Sequence, residues 1–285
     1  MSEQNKTDEP LAPLTSDDTG EIARAVEDNL AAAHIYSARR LQATVHDSPE
    51  LLWTLTDTDI LPFNTILRTR WPDEPPEALR VRIAATLAPY RVAGKAALWW
   101  RWQSSTPAML GGALVDYGLS YRGEGPGMAA NLHDLPALAA LPLPADLTID
   151  EVNDMADACE WVNVSTLVYR GAENPVTPEE YAIEERMGFG ARLPNRRWVA
   201  RLGGAVVGTS SIFLGAGVAG LYNVTTLPEA RGQGIGAAVT LAALAAARDA
   251  GYHVAVLQSS PMGFPVYTRL GFREVCRIQS YVWRP

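Results

Sequence analysis

Residues 223–236 read Asn-Val-Thr-Thr-Leu-Pro-Glu-Ala-Arg-Gly-Gln-Gly-Ile-Gly. The first four, with Leu221 before them, are apolar or β-branched enough to form the end of a strand. Pro228 and Glu229 stop that strand. An Ala/Leu-rich run over residues 237–248 follows and predicts a helix. Three glycines therefore stand between a strand end and a helix start. Unbonded N–H groups and the positive end of the helix dipole converge there. Glycine lets a ligand come close to the backbone, so the stretch predicts a cradle for a diphosphate.

The glycine spacing, at 232, 234 and 236, is not that of a dinucleotide-binding turn, and no Lys-Ser/Thr ends it as in a P-loop. Arg-Gly-Gln-Gly-Ile-Gly after a strand and a Pro-Glu pair resembles the acetyl-CoA loop of the GNAT acetyltransferase superfamily. Downstream, Tyr267-Thr-Arg-Leu-Gly271-Phe272 is similar to the Tyr-x-x-x-Gly-Phe of the same family. The alternative, a tight strand–helix turn without a ligand, does not account for the second motif or for the order of the two.

The resemblance implies acetyl-CoA as cosubstrate and no metal. It assigns the diphosphate to the backbone of Arg231, Gly232, Gln233, Gly234, Ile235, Gly236 and Ala237, with Arg231 adding charge. Val224, Thr225 and Thr226 would pair with the pantetheine arm in a splay between this strand and the one at 254–257. The same splay would leave an N–H near Thr226 to polarise the thioester carbonyl. Tyr267 would be the general acid, since a phenol of pKa about 10 can protonate a departing thiolate. A core tyrosine packing on Leu270 and Phe272 is the other reading. Ser259 and Ser260 stand where the family often places Asn or Ser against pantetheine, or they cap the next helix. No general base is evident. Glu160, Glu173, Glu179 and Glu180 fall near the helices that wall the family's acceptor site, and each also reads as a solvated helix-face residue. His253 reads as structural, and the four histidines have no metal-ligand spacing.

Composition sets the outer bounds. The chain has 285 residues, 47% hydrophobic and 20% charged, the profile of a globular protein of one large or two ordinary domains. A net charge of −8 argues against nucleic-acid or anionic-membrane partners. Two cysteines, Cys159 and Cys276, make no disulfide framework and fit a reducing cytoplasm. Residues 1–20 are polar, without a signal core, and read as a disordered tail. The longest apolar run, 237–247, is too short to span a bilayer.

Taken in order, a helix is expected over 21–46, strands over 51–56 and 60–70, a helix over 77–90, a strand over 97–102, a helix over 108–117 and a strand over 121–132. A Pro/Leu-rich linker, residues 136–146 in the domain division, precedes a restart at 147–149. Helices follow near 152–167 and 178–187, then a hairpin of 198–201 and 205–213, a strand over 218–226, and the glycine loop with its helix. A strand at 254–257, a short helix at 263–270 and a strand at 273–283 finish the chain.

The two halves repeat. Phe63-Asn64 matches Tyr222-Asn223, Ala93-Gly94 matches Ala250-Gly251, Trp102-Gln103-Ser104-Ser105 matches Leu257-Gln258-Ser259-Ser260, and Gly118-Leu119 matches Gly271-Phe272. The expectation is an α/β (α+β) protein of two GNAT-like domains, each a mixed, splayed central sheet flanked by helices. A degenerate one covers 21–135 and a catalytic one covers 147–285. The first copy carries Trp-Pro-Asp-Glu-Pro-Pro-Glu over 71–77 where the glycine loop should be, and Leu114 in the place of Tyr267. Prolines lack N–H donors, and Asp73, Glu74 and Glu77 would repel a diphosphate.

The expected activity is acetyl transfer to an amine by direct attack in a ternary complex, in a monomer or homodimer. A non-catalytic acyl-CoA sensor is the alternative. The acceptor, a small-molecule or protein amine, is not readable. Trp53, Trp71, Trp99, Trp100 and Trp102 either line an apolar acceptor pocket or belong to the core.

Overall fold

The computed structural model describes residues 12–285. The first half contributes α1 (Thr19–Arg40), β1 (Thr44–Asp47), β2 (Leu51–Leu55), β3 (Thr65–Thr69), α2 (Pro76–Ala93), β4 (Ala97–Arg101), α3 (Leu110–Tyr117) and β5 (Ser120–Asn131). The second contributes β6 (Leu147–Glu151), α4 (Met155–Arg170), α5 (Pro178–Met187), β7 (Asn195–Leu202), β8 (Ala205–Gly215), β9 (Val218–Thr226), α6 (Ile235–Asp249), β10 (Val254–Gln258), α7 (Phe264–Leu270) and β11 (Arg273–Trp283). From β1 to β5 the strands and α-helices run in the same order as from β7 to β11; ahead of them stand α1 in the first half and β6, α4 and α5 in the second.

All eleven strands form one mixed sheet, ordered β1-β2-β3-β4-β11-β5-β10-β9-β8-β7-β6. Only β3 with β4 and β9 with β10 pair in parallel. The last strands are exchanged. β11, from the second half, lies against β4, and β5, from the first half, lies against β10. The two exchanged strands pair with each other in the middle. Each half thus closes its neighbour's sheet edge, which an isolated half would leave unpaired.

Strand alternation sorts the core onto the two faces. Val254 and Val256 of β10 meet α1, whereas Ala255 and Leu257 meet the cluster built on α6 and α7. Trp99 and Tyr281 pack under α2 and α3. α6 is buried on a broad face, from Ile235 through Val239 and Leu244 to Ala247, because it lies between the sheet and the 138–140 turn.

Several boundaries differ from expectation, each for a local reason. α1 stops at Arg40 rather than near 46: Gln42 takes a left-handed φ of 56°, and Thr44 and Val45 pair with β2. Pro62 holds a 3-10 turn over Leu61–Phe63, so β3 starts only at Thr65. α4 starts at Met155 because Asp154 caps it, accepting from the Asp157 N–H at 2.9 Å. The stretch read as a tail is described only from residue 12, where Leu14 N–H bonds the Gly217 carbonyl at 2.8 Å. In the 136–146 segment, Leu138 and Leu141 pack on the α6 cluster.

Candidate functional site

β9 and β10 pair at only three positions, ending at Leu221 with Leu257. The cause of their parting is a bulge. Thr209 of β8 opposes Thr225 and Ser211 opposes Tyr222, so β9 carries an extra residue between them. Asn223 takes it up with a left-handed φ of 51°, a conformation Asn tolerates better than most residues. Its carbonyl accepts from Thr209 Oγ1 at 2.9 Å, and its Nδ2 donates to Ser211 Oγ at 3.1 Å. The bent strand leaves β10, and a gap opens beyond Leu221.

The backbone edge of Thr226 faces this gap. Leu227 N–H bonds the Val207 carbonyl at 2.8 Å and Thr225 stands opposite Thr209, so Thr226, between them, turns its polar edge away from β8. Thr225 is buried, its hydroxyl 2.6 Å from that of Thr209 and its backbone polar edge turned to β8, so it supports the strand end and offers the gap neither side chain nor backbone donor. Val224 packs at the edge of the α6 cluster.

The glycine loop then folds over the strand end. Gly232 and Gly234 have φ of 77° and 80°, and Gly234 is the N-cap of α6 with no capping side chain. Among the described residues, nothing accepts a hydrogen bond from the N–H groups of residues 232–237. Six backbone donors therefore converge unpaired at a helix N-terminus. Space is tight at two of the glycines as well. A Cβ on Gly236 would lie 3.3 Å from Thr226 Oγ1, and one on Gly234 would lie 3.2 Å from Leu143 of the 136–146 segment. Arg231 Nε donates to the Thr226 carbonyl at 3.1 Å, tying loop to strand, and its guanidinium meets no described carboxylate. Gln233 is exposed and Ala237 half-buried. This cradle fits a diphosphate.

On the other side of the gap, Tyr267 stands on α7 at 9% exposure, edge-on to Phe272 with centroids 5.8 Å apart. A Cβ on Gly263 would touch the Tyr267 ring at 2.8 Å and lie 3.4 Å from the hydroxyls of both Ser259 and Ser260. Tyr267 is thus beside the turn that ends β10. Burial, and secondarily the nearby Tyr169 phenol, holds its hydroxyl well above the ordinary range, so it is a proton donor at neutral pH. It donates to no described residue. Ser260 Oγ accepts from the Gly263 N–H at 3.1 Å, which is a turn-capping role, and Ser259 Oγ donates to the Ser260 carbonyl at 2.9 Å.

A cavity of about 730 Å³ opens from the parting strands, at Asn223 and Gln258, toward α1 of the first half. Both halves build it. The first gives Leu30, His34 and Phe63, and the second gives Trp161, Tyr169 and Phe213. Of the five first-half tryptophans, only Trp100 reaches it; Trp71, Trp99 and Trp102 are core, and Trp53 stacks on His46.

Of the carboxylates considered as bases, Glu160 and Glu180 are ion-paired and Glu173 and Glu179 do not line the cavity. Glu160 pairs with Arg201 at 2.5 Å, and Glu173 folds against Gly171. Glu180 lines the cavity but accepts both oxygens' worth of hydrogen bonds from Arg170, at 2.7 and 2.8 Å, and caps α5 through Thr177. Although burial opposes it, those bonds hold its carboxyl below the usual range. Glu179 is exposed on α5. His253 lies at the start of β10, opposite its Gln258 end, with Nδ1 3.0 Å from His133 Nε2. Among the described residues no cluster of three or more His, Cys, Asp or Glu could hold a metal, and no helix is long and apolar enough to cross a membrane.

Residues 160–272, from α4 to the Tyr-x-x-x-Gly-Phe motif, match the acetyltransferase (GNAT) family. The matched stretch carries the glycine loop and the tyrosine motif together, within the second half. Solved structures extend the likeness to both halves. A GCN5-related N-acetyltransferase from Kribbella flavida is 19% identical, with a TM-score of 0.67 over 92% of this chain and 95% of that one. A tandem GNAT protein from the clavulanic acid biosynthesis pathway is 16% identical, with a TM-score of 0.58 over 96% and 97%. A GCN5-related N-acetyltransferase from Sphaerobacter thermophilus, 15% identical, gives 0.58 over 96% and 95%. At these identities the likeness establishes a shared two-copy GNAT fold. No functionally curated protein is significantly similar in sequence. Family and fold together support acyl-CoA-dependent acetyl transfer as the general activity of the second half.

The sequence points to the loop and to Tyr267 but misses two things. The bulge at Asn223 is not among the expectations, although an Asn inside a β-branched strand is a recognisable signal for a left-handed residue. The first half's share of the cavity, His34 above all, has no local signature, because only the tertiary fold brings α1 to β9.

Proposed function

We propose that this protein is an acetyl-CoA-dependent N-acetyltransferase that acts by direct attack of an amine in a ternary complex. The six unpaired amides of residues 232–237, placed where β9 leaves β10, carry this reading. They would hold the diphosphate of the cosubstrate, with Arg231 adding charge. Val224 and Thr226, with Thr225 fixing the strand between them to β8, line the gap in which the pantetheine arm would lie, beside Ser259 and Ser260. Bound acetyl-CoA supplies the activated acetyl thioester. The gap-facing N–H of Thr226 is the donor suited to polarise its carbonyl. The amine enters from the cavity on the opposite side, and Tyr267 supplies the proton that the departing sulfur takes up. Water carries off the proton lost by the amine, since no cavity carboxylate is free to do so. The acceptor is a small-molecule or protein amine, and a cytoplasmic site of action fits the free thiols of Cys159 and Cys276.

Titration calorimetry with acetyl-CoA, followed by release of free CoA over a panel of amines, tests the proposal. Acetyl-CoA at about 100 times its Kd should add ~2.7 kcal/mol of stability. Absence of binding removes the proposal, and binding with no amine consumed reduces the protein to an acyl-CoA sensor.

A further inference from the structure

We propose that the cavity between the halves takes an amine borne on an apolar, ring-sized body with no second charge, and that His34 of the first half accepts a hydrogen bond from its amino group. This deepens the acyl-transfer reading and rests on it.

The wall's charges are already spent. Five charged residues line the cavity, and each is ion-paired within the protein. Arg170 meets Glu180 at 2.7 Å, Arg197 meets Glu184 at 2.5 Å, and Asp59 meets Lys95 at 2.8 Å. Arg197 is held further by the Gly188 carbonyl and lies over the rings of Trp161 and Phe189, at 5.8 and 5.5 Å. Inside the cavity no unpaired carboxylate remains to receive the further ammonium groups of a polyamine or aminoglycoside, and no unpaired cation remains for an acidic substrate; Asp59, its side chain 86% exposed, lies at the solvent rim. A second charge would enter uncompensated, which is the costly case for a buried ion.

The medium opposes charge of either sign. Burial pushes the His34 imidazole down to about 4 and pushes the Glu184 carboxyl up even with Arg197 in contact. Most of the remaining surface is apolar, from Leu30, Ala33, Phe63, Trp100, Trp161 and Phe213, with uncharged polar groups such as Ser165, Tyr169 and Gln258 between them. A volume of about 730 Å³ lies within the range of small-ligand sites.

Among the unpartnered polar groups of the wall, which include the Gln258 amide nitrogen, a donor, His34 is the one that offers a nitrogen lone pair. It stands on the α1 face that also presents Leu30, Ala33 and Ser37 to the cavity, and it bonds no described residue. Neutral imidazole keeps one nitrogen lone pair. That lone pair suits the N–H of an amine that has shed its extra proton on entry, and an uncharged amine is the form that attacks. The helix that carries it is anchored to the second half. Asn29 Nδ2 donates to the carbonyls of Phe213, Gly215 and Val218, and Tyr222 donates to Asn29 Oδ1 at 2.7 Å.

The test uses the full chain with 2-phenylethylamine and tryptamine against spermidine, kanamycin and a lysine peptide. CoA release gives kcat and KM, calorimetry gives the acetyl-CoA Kd, and quenching of tryptophan fluorescence gives amine binding without acetyl-CoA. The apolar amines should exceed the polycations by about 100-fold in kcat/KM. Ala33→Trp, which fills the cavity from α1, should raise the amine KM at least about tenfold and leave the acetyl-CoA Kd within about twofold. His34→Leu should raise the amine KM, and His34→Gln, which restores an acceptor, should recover most of it. Preference for spermidine, kanamycin or the peptide overturns the inference and leaves acyl transfer standing. So does an Ala33→Trp variant with unchanged amine KM, or apolar amines that neither bind nor react. Loss of acetyl-CoA binding instead removes the acyl-transfer reading, and the fluorescence titration then still decides what the cavity holds.

Discussion

The two halves share a path of chain and differ at the three places where a cosubstrate would sit. α3 and α7 end alike. Leu119 N–H bonds the Leu114 carbonyl at 2.9 Å and Phe272 N–H bonds that of Tyr267 at 3.0 Å, around Gly118 and Gly271 with φ of 108° and 101°. Yet Leu114 is a fully buried core residue where Tyr267 offers a hydroxyl. α6 opens with unpaired amides behind Gly234. α2 opens with Pro75 and Pro76, while Glu74 is locked by Arg82 at 2.8 and 2.9 Å. The gap that stays open beyond Leu221 is closed in the first half. Thr106 N–H bonds the Thr69 carbonyl at 3.1 Å, Trp71 N–H bonds that of Thr106 at 3.2 Å, and Trp99 Nε1 donates to Thr69 Oγ1 at 3.0 Å. Where no ligand fills a splayed sheet, tryptophans and a strap of backbone do. The first half keeps the fold and spends its splay on core.

The comparison breaks most sharply at that plug. Trp99→Ala should cost about 3–5 kcal/mol of stability in urea denaturation, because it empties a fully buried site. Acetyl-CoA affinity should not change, and a loss of it would mean the first half also holds cosubstrate. Next comes Tyr267→Leu, which copies Leu114 into the second half. It should lower kcat by about 100-fold with little change in acetyl-CoA Kd, and an unchanged kcat would return Tyr267 to the core. Gly234→Asp imports the acidic character of the 71–77 stretch, at a left-handed position that Asp can tolerate. Acetyl-CoA should bind at least about tenfold more weakly by calorimetry, with the far-ultraviolet circular dichroism retained.

The smallest effect concerns His34, which α1 of the first half presents to the cavity of the second. Its folded pKa of about 4 lies below the ordinary 6.5, so the unfolded chain takes the proton first as pH falls. The stability it secures is complete above pH 6.5 and is lost as pH falls toward 4. Glu27, Asp28 and Glu184, raised mainly by burial, act in the opposite sense, so the difference between wild type and His34→Gln isolates the histidine. Between pH 7 and 4.5 that difference should reach about 2–4 °C in Tm. Parallel curves would place His34 in contact with solvent.

The internal matches illustrate what local sequence can show. Gly94 and Gly251 mark the same position: each is left-handed at a helix end, and the next N–H bonds back five residues, Lys95 to Tyr90 and Tyr252 to Ala247. Gly118 and Gly271 agree likewise. The strand matches do not. Parallel pairing sets Thr65 against Leu98 and Ala219 against Ala255, which puts Asn64 and Asn223 at different places along their strands. Asn64 holds a turn through Thr56 and Thr58, and Asn223 makes the bulge. A helix-ending glycine answers to a backbone angle that few other residues accept. A polar residue near a strand answers to neighbours that only the sheet supplies.

By itself the sequence determined the order of elements, the glycine cradle, the register of Tyr267 and the absence of both from the first half. Those features depend on φ, on missing or present N–H donors and on spacing within a turn, all of which are local. Only the tertiary structure decided that the last strands change places, that tryptophans close one gap while a bulge opens the other, and that α1 of one half walls the cavity of its neighbour. These depend on pairing between segments more than a hundred residues apart, where burial and sheet edges, not neighbouring residues, choose the partner.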